Sequence, residues 1–231
     1  MRFWAVIPAA GSGSRMGAAL PKQYLPLSGK TVLEHTVQRI ARHPLIQGVI
    51  VVVAPGDQYV RRLTLPEPKI ALSMAGGAER CHSVFNGLTV LAEQAAADDW
   101  VLVHDAARPC VRGADITRLI DELRAHPVGG LLGLPVADTM KRTDRDGNVL
   151  ETVQRDGLWR ALTPQMFRLG LLRGALEQAL SKNLLVTDEA QAIEAAGYTP
   201  RMVEGHADNI KITRPQDLAL AELYLQQQES A

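Results

Sequence analysis

The amino-acid sequence predicts an α/β fold with a doubly wound, mostly parallel β-sheet from which a β-hairpin arm protrudes. Two observations predict the sheet. Short apolar runs rich in branched residues alternate with stretches of helical period, and a glycine-rich loop directly follows the first apolar run. A third observation, a polar interruption of this alternation at residues 138–155, predicts the arm. In this fold class, ligands bind at the carboxyl ends of the strands.

The apolar runs are the expected strands. Each is short and rich in branched residues, and most are separated by a stretch long enough for a helix to cross over between parallel strands. The expected strands are residues 3–7, 49–54, 70–74, 100–104, 130–136 and 201–204.

The expected helices are identified by apolar residues at helical spacing. The first begins at a capping box formed by Thr31 and Glu34. The last is expected from Thr213, where Gln216 gives a similar pattern. Between them, helices are expected at residues 165–180 and 187–196. The apolar faces of the first two long helices are Leu33, Val37 and Ile40, and Val84, Leu88 and Leu91.

Residues 138–155, DTMKRTDRDGNVLETVQR, interrupt the βαβ rhythm. The pair Asp146-Gly147 is a turn signal between two polar, strand-like segments. The segment is too long and polar for an ordinary strand-to-helix connection, which predicts a protruding hairpin.

Composition limits the partners and the location of the protein. A chain of 231 residues with 46% hydrophobic residues is most simply one domain, residues 1–231. Its 25 basic and 25 acidic residues balance, so no attraction to nucleic acid or to a membrane surface is expected. Cys81 and Cys110 form no metal-binding pattern, and no signal peptide or transmembrane run is visible. We therefore expect a cytoplasmic protein with reduced thiols.

The loop after the first strand belongs to the stretch PAAGSGSRMGAALPKQYLPL, residues 8–27, and it fits neither common phosphate fingerprint. A P-loop requires Gly-Lys followed by Ser or Thr, and the dinucleotide pattern requires a third glycine where Met16 stands. Gly11 and Gly13 nevertheless allow close backbone approach, and Arg15 and Lys22 supply cations. This combination suits a triphosphate. The alternative is a tight strand-to-helix turn with two solvated basic residues.

The segment WVLVHDAARPCV places Asp105 at the end of a buried strand, with Arg108 three residues later. An aspartate there can hold Mg²⁺ or accept a hydrogen bond from a substrate hydroxyl, and an arginine can bind a phosphate. The alternative is an ion pair that only fixes the loop. His104 suggests a hydrolase, but the sequence contains no G-x-S-x-G nucleophile motif, so we expect a structural histidine.

Three further loops carry weaker signals. Gly76-Gly77 stands before a helix that contains Ser83, so free N–H groups there can bind an acceptor, although a plain connector explains the glycines as well. Thr187 is the expected N-cap of the helix at residues 187–196. Lys211 lies in a short strand-like run, where a lone lysine is more often a solvated edge charge.

These segments follow one another in the order and spacing of a known family. PAAGSGSRMG, PKQYLPL, GGAERCHSV, VHDAARP, DTMKR, TPQ, VTDEA and NIKIT together resemble the 2-C-methyl-D-erythritol 4-phosphate cytidylyltransferases of the non-mevalonate isoprenoid pathway. The resemblance extends from Trp4 to Leu225 and implies a Rossmann-like nucleotidyltransferase fold. Ala78 stands where some relatives carry an acid, and Leu162 stands where many relatives carry a glutamine. No fused second cyclase domain is expected.

The resemblance implies transfer of CMP from CTP to 2-C-methyl-D-erythritol 4-phosphate, with release of pyrophosphate. Arg15 and Lys22 are then expected to act on the α-phosphate, with Lys211 as a third catalytic cation. Mg²⁺ is expected on the triphosphate, helped by Asp105. The residues expected to bind CTP are Ala9, Ala10, Gly11, Gly13, Gly77 and Ser83.

The resemblance also assigns the acceptor site and the assembly. Residues 138–155 are implied to be a dimerisation arm, so that a partner subunit completes each site in a homodimer. The residues expected to bind the polyol phosphate are Asp105, Arg108, Thr187 and Lys211, joined by Thr139 and Arg155 from the partner.

Three alternative functions remain open at this point. The chain could transfer a cytidylyl group to another polyol phosphate, such as ribitol 5-phosphate, because such enzymes share the nucleotide half. It could use a different base as a general sugar-phosphate nucleotidylyltransferase. It could also be a non-catalytic module that binds CTP, since fold alone does not determine function.

Overall fold

A computed structural model describes residues 1–11, 20–65 and 68–230. The helices are α1 (Val32–Ala41), α2 (Arg80–Leu91), α3 (Gly113–Leu123), α4 (Leu169–Ser181), α5 (Glu189–Ala195) and α6 (Gln216–Glu229). The strands are β1 (Phe3–Pro8), β2 (Pro26–Leu27), β3 (Lys30–Thr31), β4 (Ile46–Val52), β5 (Ile70–Ser73), β6 (Trp100–Val103), β7 (Gly129–Pro135), β8 (Met140–Thr143), β9 (Val149–Val153), β10 (Trp159–Arg168) and β11 (Arg201–Glu204).

The centre of the structure is a seven-stranded sheet with the order β11-β7-β10-β6-β1-β4-β5. The pairs β1–β4, β1–β6, β4–β5 and β7–β11 are parallel. Strand β10 is antiparallel to both of its neighbours, β6 and β7. The sheet is therefore mostly parallel, as the sequence predicts, and the carboxyl ends of its parallel strands meet at one edge.

Apolar side chains cover both faces of the sheet. Successive residues of a strand point to opposite faces, so Val101 and Leu102 of β6 enter different core clusters. One cluster packs under α1 and α3, and the other under α2, α4 and α5. Among the described residues, no helix has the length and apolar character that a membrane crossing requires.

Five of the expected strands and the capping box of α1 match the structure closely. Thr31 accepts a hydrogen bond from Glu34 N–H, while the Glu34 carboxylate accepts one from Thr31 N–H. The expected strand at residues 49–54 is shifted, because β4 begins at Ile46 and ends at Val52.

The expected helix at residues 165–180 is wrong in its first turn. Residues 165–168 belong to β10, and α4 begins at Leu169. Residues 162–167 of β10 are buried, because helices cover both faces of the sheet there, and this part of the strand alternates little in polarity. Met166 and Phe167 therefore fit a helix pattern as well as a strand pattern.

The predicted starts of the last two helices need correction. Asp188, not Thr187, caps α5, because its carboxylate accepts a hydrogen bond from Gln191 N–H. Helix α6 begins at Gln216, and Thr213 donates to Asp217 instead of forming a capping box with Gln216. The strand-like run around Lys211 forms no strand.

The hairpin arm is present, and it is formed by β8 and β9, which pair antiparallel. Gly147 adopts a positive φ of 89° in the turn between them, which agrees with the Asp146-Gly147 signal. The arm exposes Met140, Val149 and Leu150.

We predict that Gly87→Val lowers the free energy of unfolding. A Cβ atom at Gly87 of α2 would lie 2.7 Å from Val52 and 2.8 Å from Val6, both on the sheet. Helix and sheet would have to separate, at a cost of about 1–3 kcal/mol. Urea denaturation followed by circular dichroism measures the change.

Gly174→Ala is the matched control, because no atom lies within 4 Å of a Cβ at this exposed position of α4. Alanine is expected to stabilise the helix by about 0.5–1 kcal/mol. Equal effects of the two substitutions would contradict close packing at Gly87.

Candidate active site

A cavity of about 590 Å³ lies at the carboxyl ends of β1 and β6. Residues that directly follow these strands line it, including Ala9, Ala10 and Gly11 after β1 and Asp105 after β6. Lys22, Gln23, the loop and first turn of α2, and residues 211 and 213 also line it. This is the edge at which the fold class places its ligands.

Asp105 is the charged centre of this site. It is 7% exposed, and three cations surround its carboxylate. Arg80 Nε lies 2.9 Å from Oδ1, while Lys211 Nζ and Arg108 Nε lie 2.8 Å and 3.5 Å from Oδ2. Burial would raise the pKa of Asp105, but these cations hold it well below its usual range. Asp105 is therefore ionised at neutral pH and does not act as an acid or base.

Arg80 and Glu189 are functional candidates that the sequence analysis missed. Arg80 donates from Nη1 and Nη2 to the two carboxylate oxygens of Glu189, at 2.7 and 3.0 Å. A signal existed in the sequence, since an arginine in the first turn of a helix opposes the helix dipole and needs acidic partners. Nothing in the sequence indicates which acids these are.

A second, smaller cavity of about 170 Å³ adjoins the cluster. It brings together Arg108, Thr187 and Lys211, three of the residues expected to bind the acceptor. Arg108 is buried, and among the described residues its Nε has no hydrogen-bond partner. Thr187 donates from its hydroxyl to Gln191 Oε1. The cavity is therefore cationic and lined with hydrogen-bond donors.

Residues 209–212 connect the predicted catalytic lysines. Lys22 Nζ donates to the carbonyl of Ile212 at 3.1 Å, and the neighbouring Lys211 pairs with Asp105. The segment is anchored to the loop after β6, because Ile212 N–H donates to Ala107 and Arg108 donates to the carbonyl of Asn209. Lys211 is thus held by an ion pair and is not a solvated edge charge.

Several of the groups expected to bind CTP already have partners within the chain. Gly77 N–H donates to Ser83 Oγ at 3.0 Å, so this N–H is not free as expected. Gln23 Nε2 donates to the carbonyls of Ala9 and Gly11 at 2.8 and 2.9 Å. The buried Gln23, which the sequence analysis missed, therefore fixes the first turn of the glycine loop.

Four predicted site residues are not brought to the cavities by the described part of one chain. Gly13 and Arg15 lie outside the described residues. Thr139 and Arg155 are exposed on the arm, and neither belongs to the described lining of the two cavities. Arg155 donates to the carbonyl of Ala137.

His104 is fully buried and takes part in a chain of hydrogen bonds. Its Nε2 contacts the carbonyl of Arg108 at 3.1 Å, and a carbonyl only accepts, so Nε2 carries the proton. Its Nδ1 therefore accepts from the Thr163 hydroxyl, whose oxygen in turn accepts from Asp105 N–H. This arrangement fits a structural histidine that orients the Asp105 backbone.

Asp105 does not fit a metal site. Both of its oxygens already accept from cationic side chains, and three positive charges face the position that a metal ion would take. Within residues 1–11, 20–65 and 68–230, no group of three or more His, Cys, Asp or Glu residues is placed to hold a metal ion.

Comparison with known proteins identifies the family. The family model described as 2-C-methyl-D-erythritol 4-phosphate cytidylyltransferase matches residues 3–227. The chain belongs to this family. Its relative in Pseudomonas aeruginosa, a 2-C-methyl-D-erythritol 4-phosphate cytidylyltransferase, is 55% identical over 217 residues, which are 94% of this chain and 93% of that protein.

Two further relatives of this cytidylyltransferase family extend the match. The protein of the same name from Aeromonas hydrophila is 55% identical over 226 residues, covering 98% of this chain and 90% of that protein. The crystal structure of the Francisella tularensis cytidylyltransferase is 38% identical and aligns with a TM-score of 0.85, covering 97% and 100% of the two chains. The predicted family and fold class are confirmed.

We predict that His104 makes the protein less stable as the pH falls from about 6.5 towards 4. Burial lowers the pKa of His104 from 6.5 to about 4, so in this window the unfolded chain binds a proton that the folded chain does not. Above pH 6.5 this pKa difference adds roughly 3 kcal/mol to the free energy of unfolding, and the contribution is lost as the pH falls towards 4.

Urea denaturation of the wild type and of His104→Gln between pH 4 and 7 tests this. Burial also lowers the pKa values of His35 and His43, so the variant should keep part of the pH dependence and lose the share of His104. An identical slope in both proteins would contradict the assignment.

Proposed function

We propose that this protein transfers the cytidylyl group of CTP to 2-C-methyl-D-erythritol 4-phosphate, giving 4-diphosphocytidyl-2-C-methyl-D-erythritol and pyrophosphate. The observation that carries the proposal is family membership over nearly the whole chain, together with a cationic cluster at the edge where two cavities meet. The larger cavity is lined by residues 9–11, the described start of the glycine loop expected to hold a nucleotide. The smaller one has the cations expected to hold a phosphorylated acceptor.

In the proposed reaction, an oxygen of the acceptor phosphate attacks the α-phosphorus of CTP. A new P–O bond forms, the bond between the α-phosphorus and the bridging oxygen breaks, and pyrophosphate leaves. The attacking phosphate is already ionised at neutral pH, so no protein base is needed. This agrees with an Asp105 carboxylate that stays ionised and a His104 side chain that is buried and neutral.

The main barriers to this reaction are repulsion between two anions and the charge that develops on the α-phosphate. Lys22 lines the larger cavity and Lys211 lines both, so each cavity has at least one lysine in its wall. Arg15 remains a proposed third cation from the glycine loop.

The proposed acceptor lies in the smaller cavity. Arg108 and Lys211 supply positive charge for its phosphate, while Asp105 can accept hydrogen bonds from its hydroxyl groups. Arg108 Nε has only a 3.5 Å ion pair with Asp105 Oδ2 and no hydrogen bond within the described residues, so this buried donor keeps capacity for a ligand in this cavity.

We keep Mg²⁺ as a proposed companion of CTP, but without Asp105 as its ligand. If the ion takes part, oxygens of the CTP triphosphate would have to hold it, and it would supply charge neutralisation there.

We also propose a homodimer in which the arm completes the partner's acceptor site with Thr139 and Arg155. The support is chemical: the arm exposes 61% of Val149 and 62% of Leu150, and an isolated two-stranded hairpin is marginally stable in water. Pairing across a two-fold axis would cover these residues.

A cytoplasmic location is proposed because both cysteines are buried and free, with no disulfide between them.

Pyrophosphate release from CTP tests the proposed activity. We expect release with 2-C-methyl-D-erythritol 4-phosphate, and little with ribitol 5-phosphate or without an acceptor. Lys22→Ala should lower kcat by about 10²–10³, because Lys22 faces charge that develops in the transition state, while CTP binding changes less.

Lys182→Ala, at the exposed end of α4, is the charge-matched control and should keep wild-type kinetics. If pyrophosphate is released with ribitol 5-phosphate but not with 2-C-methyl-D-erythritol 4-phosphate, then ribitol 5-phosphate is the acceptor and the proposed acceptor is wrong. Binding of CTP without turnover on any acceptor would favour a nucleotide-binding module.

Subunit exchange tests the proposed dimer. Lys22→Ala and Arg155→Ala should each be nearly inactive, but a mixed dimer would have one site with both residues intact. With random exchange, half of the dimers are mixed and half of their sites are competent, so activity should recover to about a quarter of the wild type. No recovery, despite exchange proved by native mass spectrometry, would place Arg155 outside the partner's site.

A further inference from the structure

Glu189 is a buried carboxylate at the start of α5, and only 1% of it is exposed. It accepts two parallel hydrogen bonds from Arg80, at 2.7 and 3.0 Å. This bidentate geometry fixes the plane of the guanidinium group as well as its position. Glu189 lines neither of the two cavities at the active site among the described residues.

Arg80 extends this contact to the active site. Its Nε donates to Asp105 Oδ1 at 2.9 Å, so one side chain connects Glu189 to Asp105. Arg80 also lines both cavities. The guanidinium therefore lies at the boundary between the proposed nucleotide and acceptor sites. Glu189, which lies outside the described lining of both cavities, fixes its orientation.

The base of this connection is itself fixed. Gln165 of β10 accepts from Ala190 N–H at 2.8 Å and donates to Asp188 at 3.0 Å. The two residues that flank Glu189 are thus attached to the central sheet. Glu189 can hold Arg80 in one place because its own backbone is held.

The charges explain why Arg80 needs such support. Arg80, Arg108 and Lys211 all approach the single carboxylate of Asp105. Without the second acid, the three cations would compete for two oxygen atoms, and Arg80 would be free to turn towards either cavity. With Glu189 present, Arg80 has fixed partners on both sides.

We infer that Glu189 is a positioning residue of the active site, which orients Arg80 so that Asp105 presents one fixed carboxylate geometry to the acceptor. The inference rests on the proposed function, because it assigns the acceptor to the cavity beside Asp105. It adds a residue that acts through Arg80 and touches neither substrate.

A purely structural role is the competing explanation. Glu189 and Arg80 join the starts of α5 and α2, so their ion pair could serve only to hold two helices together. The two explanations differ in kinetics. A positioning role alters the acceptor KM selectively, whereas a structural role alters stability and leaves both KM values unchanged.

Glu189→Gln is the first test, with both KM values and the melting temperature measured. It keeps the shape of the side chain and removes its charge. We expect the acceptor KM to rise on the order of tenfold, because small displacements at a site are costly, while the CTP KM stays within about twofold.

Asp115→Asn is the matched control. Asp115 is also a fully buried carboxylate, it accepts hydrogen bonds from His206, and it lines neither cavity within the described residues. This variant should lose stability and keep both KM values. An unchanged acceptor KM in Glu189→Gln, or equal rises in both KM values, would overturn the inference.

Glu189→Asp is the second variant, and it serves if Glu189→Gln does not fold. It keeps the charge but shortens the side chain by one methylene, so Arg80 keeps an acidic partner in a displaced geometry. We expect a smaller loss of melting temperature than in Glu189→Gln, together with a raised acceptor KM. A wild-type acceptor KM in this variant would overturn the inference. Wild-type protein assayed in parallel keeps the proposed function separate, since its failure appears as an inactive wild type.

Discussion

The charge of one buried aspartate is the constraint on which the active site depends. Asp105 lies two residues after β6, in the middle of the sheet's edge, where a buried carboxylate loses most of its hydration and must be compensated by cations. The three cations come from separate parts of the chain: the start of α2, the loop of Asp105 itself, and the segment before α6. Compensation of this charge therefore brings together the walls of both cavities.

The same arrangement suits a reaction between two anions. Two acids and three cations leave the inner cluster with one surplus positive charge, and Lys22 lies nearby on the glycine loop side. An anionic substrate can approach this cluster, while Asp105 stays ionised and keeps the cations in place. A site of this kind stabilises charge and positions reactants, which is what phosphoryl and nucleotidyl transfer require.

The sequence predicts the features that local chemistry determines. The strand-end loops, the capping box at Thr31 and the turn at Gly147 all depend on neighbouring residues, and the structure confirms them. The fold class follows from the alternation of apolar runs with stretches of helical period, the family follows from the order of the motifs, and the comparisons confirm both.

The sequence does not predict features that depend on distant partners. Arg80 and Glu189 are 109 residues apart, so neither identifies the other along the chain. The end of strand β10 looks helical because helices from elsewhere in the chain bury both of its faces. Gln23 is a polar residue in a loop until the fold places it under the carbonyls of Ala9 and Gly11.

Strand β10 also governs the order in which the sheet can assemble as the chain is synthesised. Strands β1, β4, β5 and β6 pair only with one another or with β10, so this part of the sheet can form once the first 103 residues are available. Strand β7 pairs only with β10 and β11, and it has no sheet neighbour when it first appears. A nascent chain that has left the ribosome up to the arm therefore carries one paired half-sheet and one exposed apolar strand. Domains of this size fold through such partly formed states, and this one joins its two halves only when β10 inserts between them.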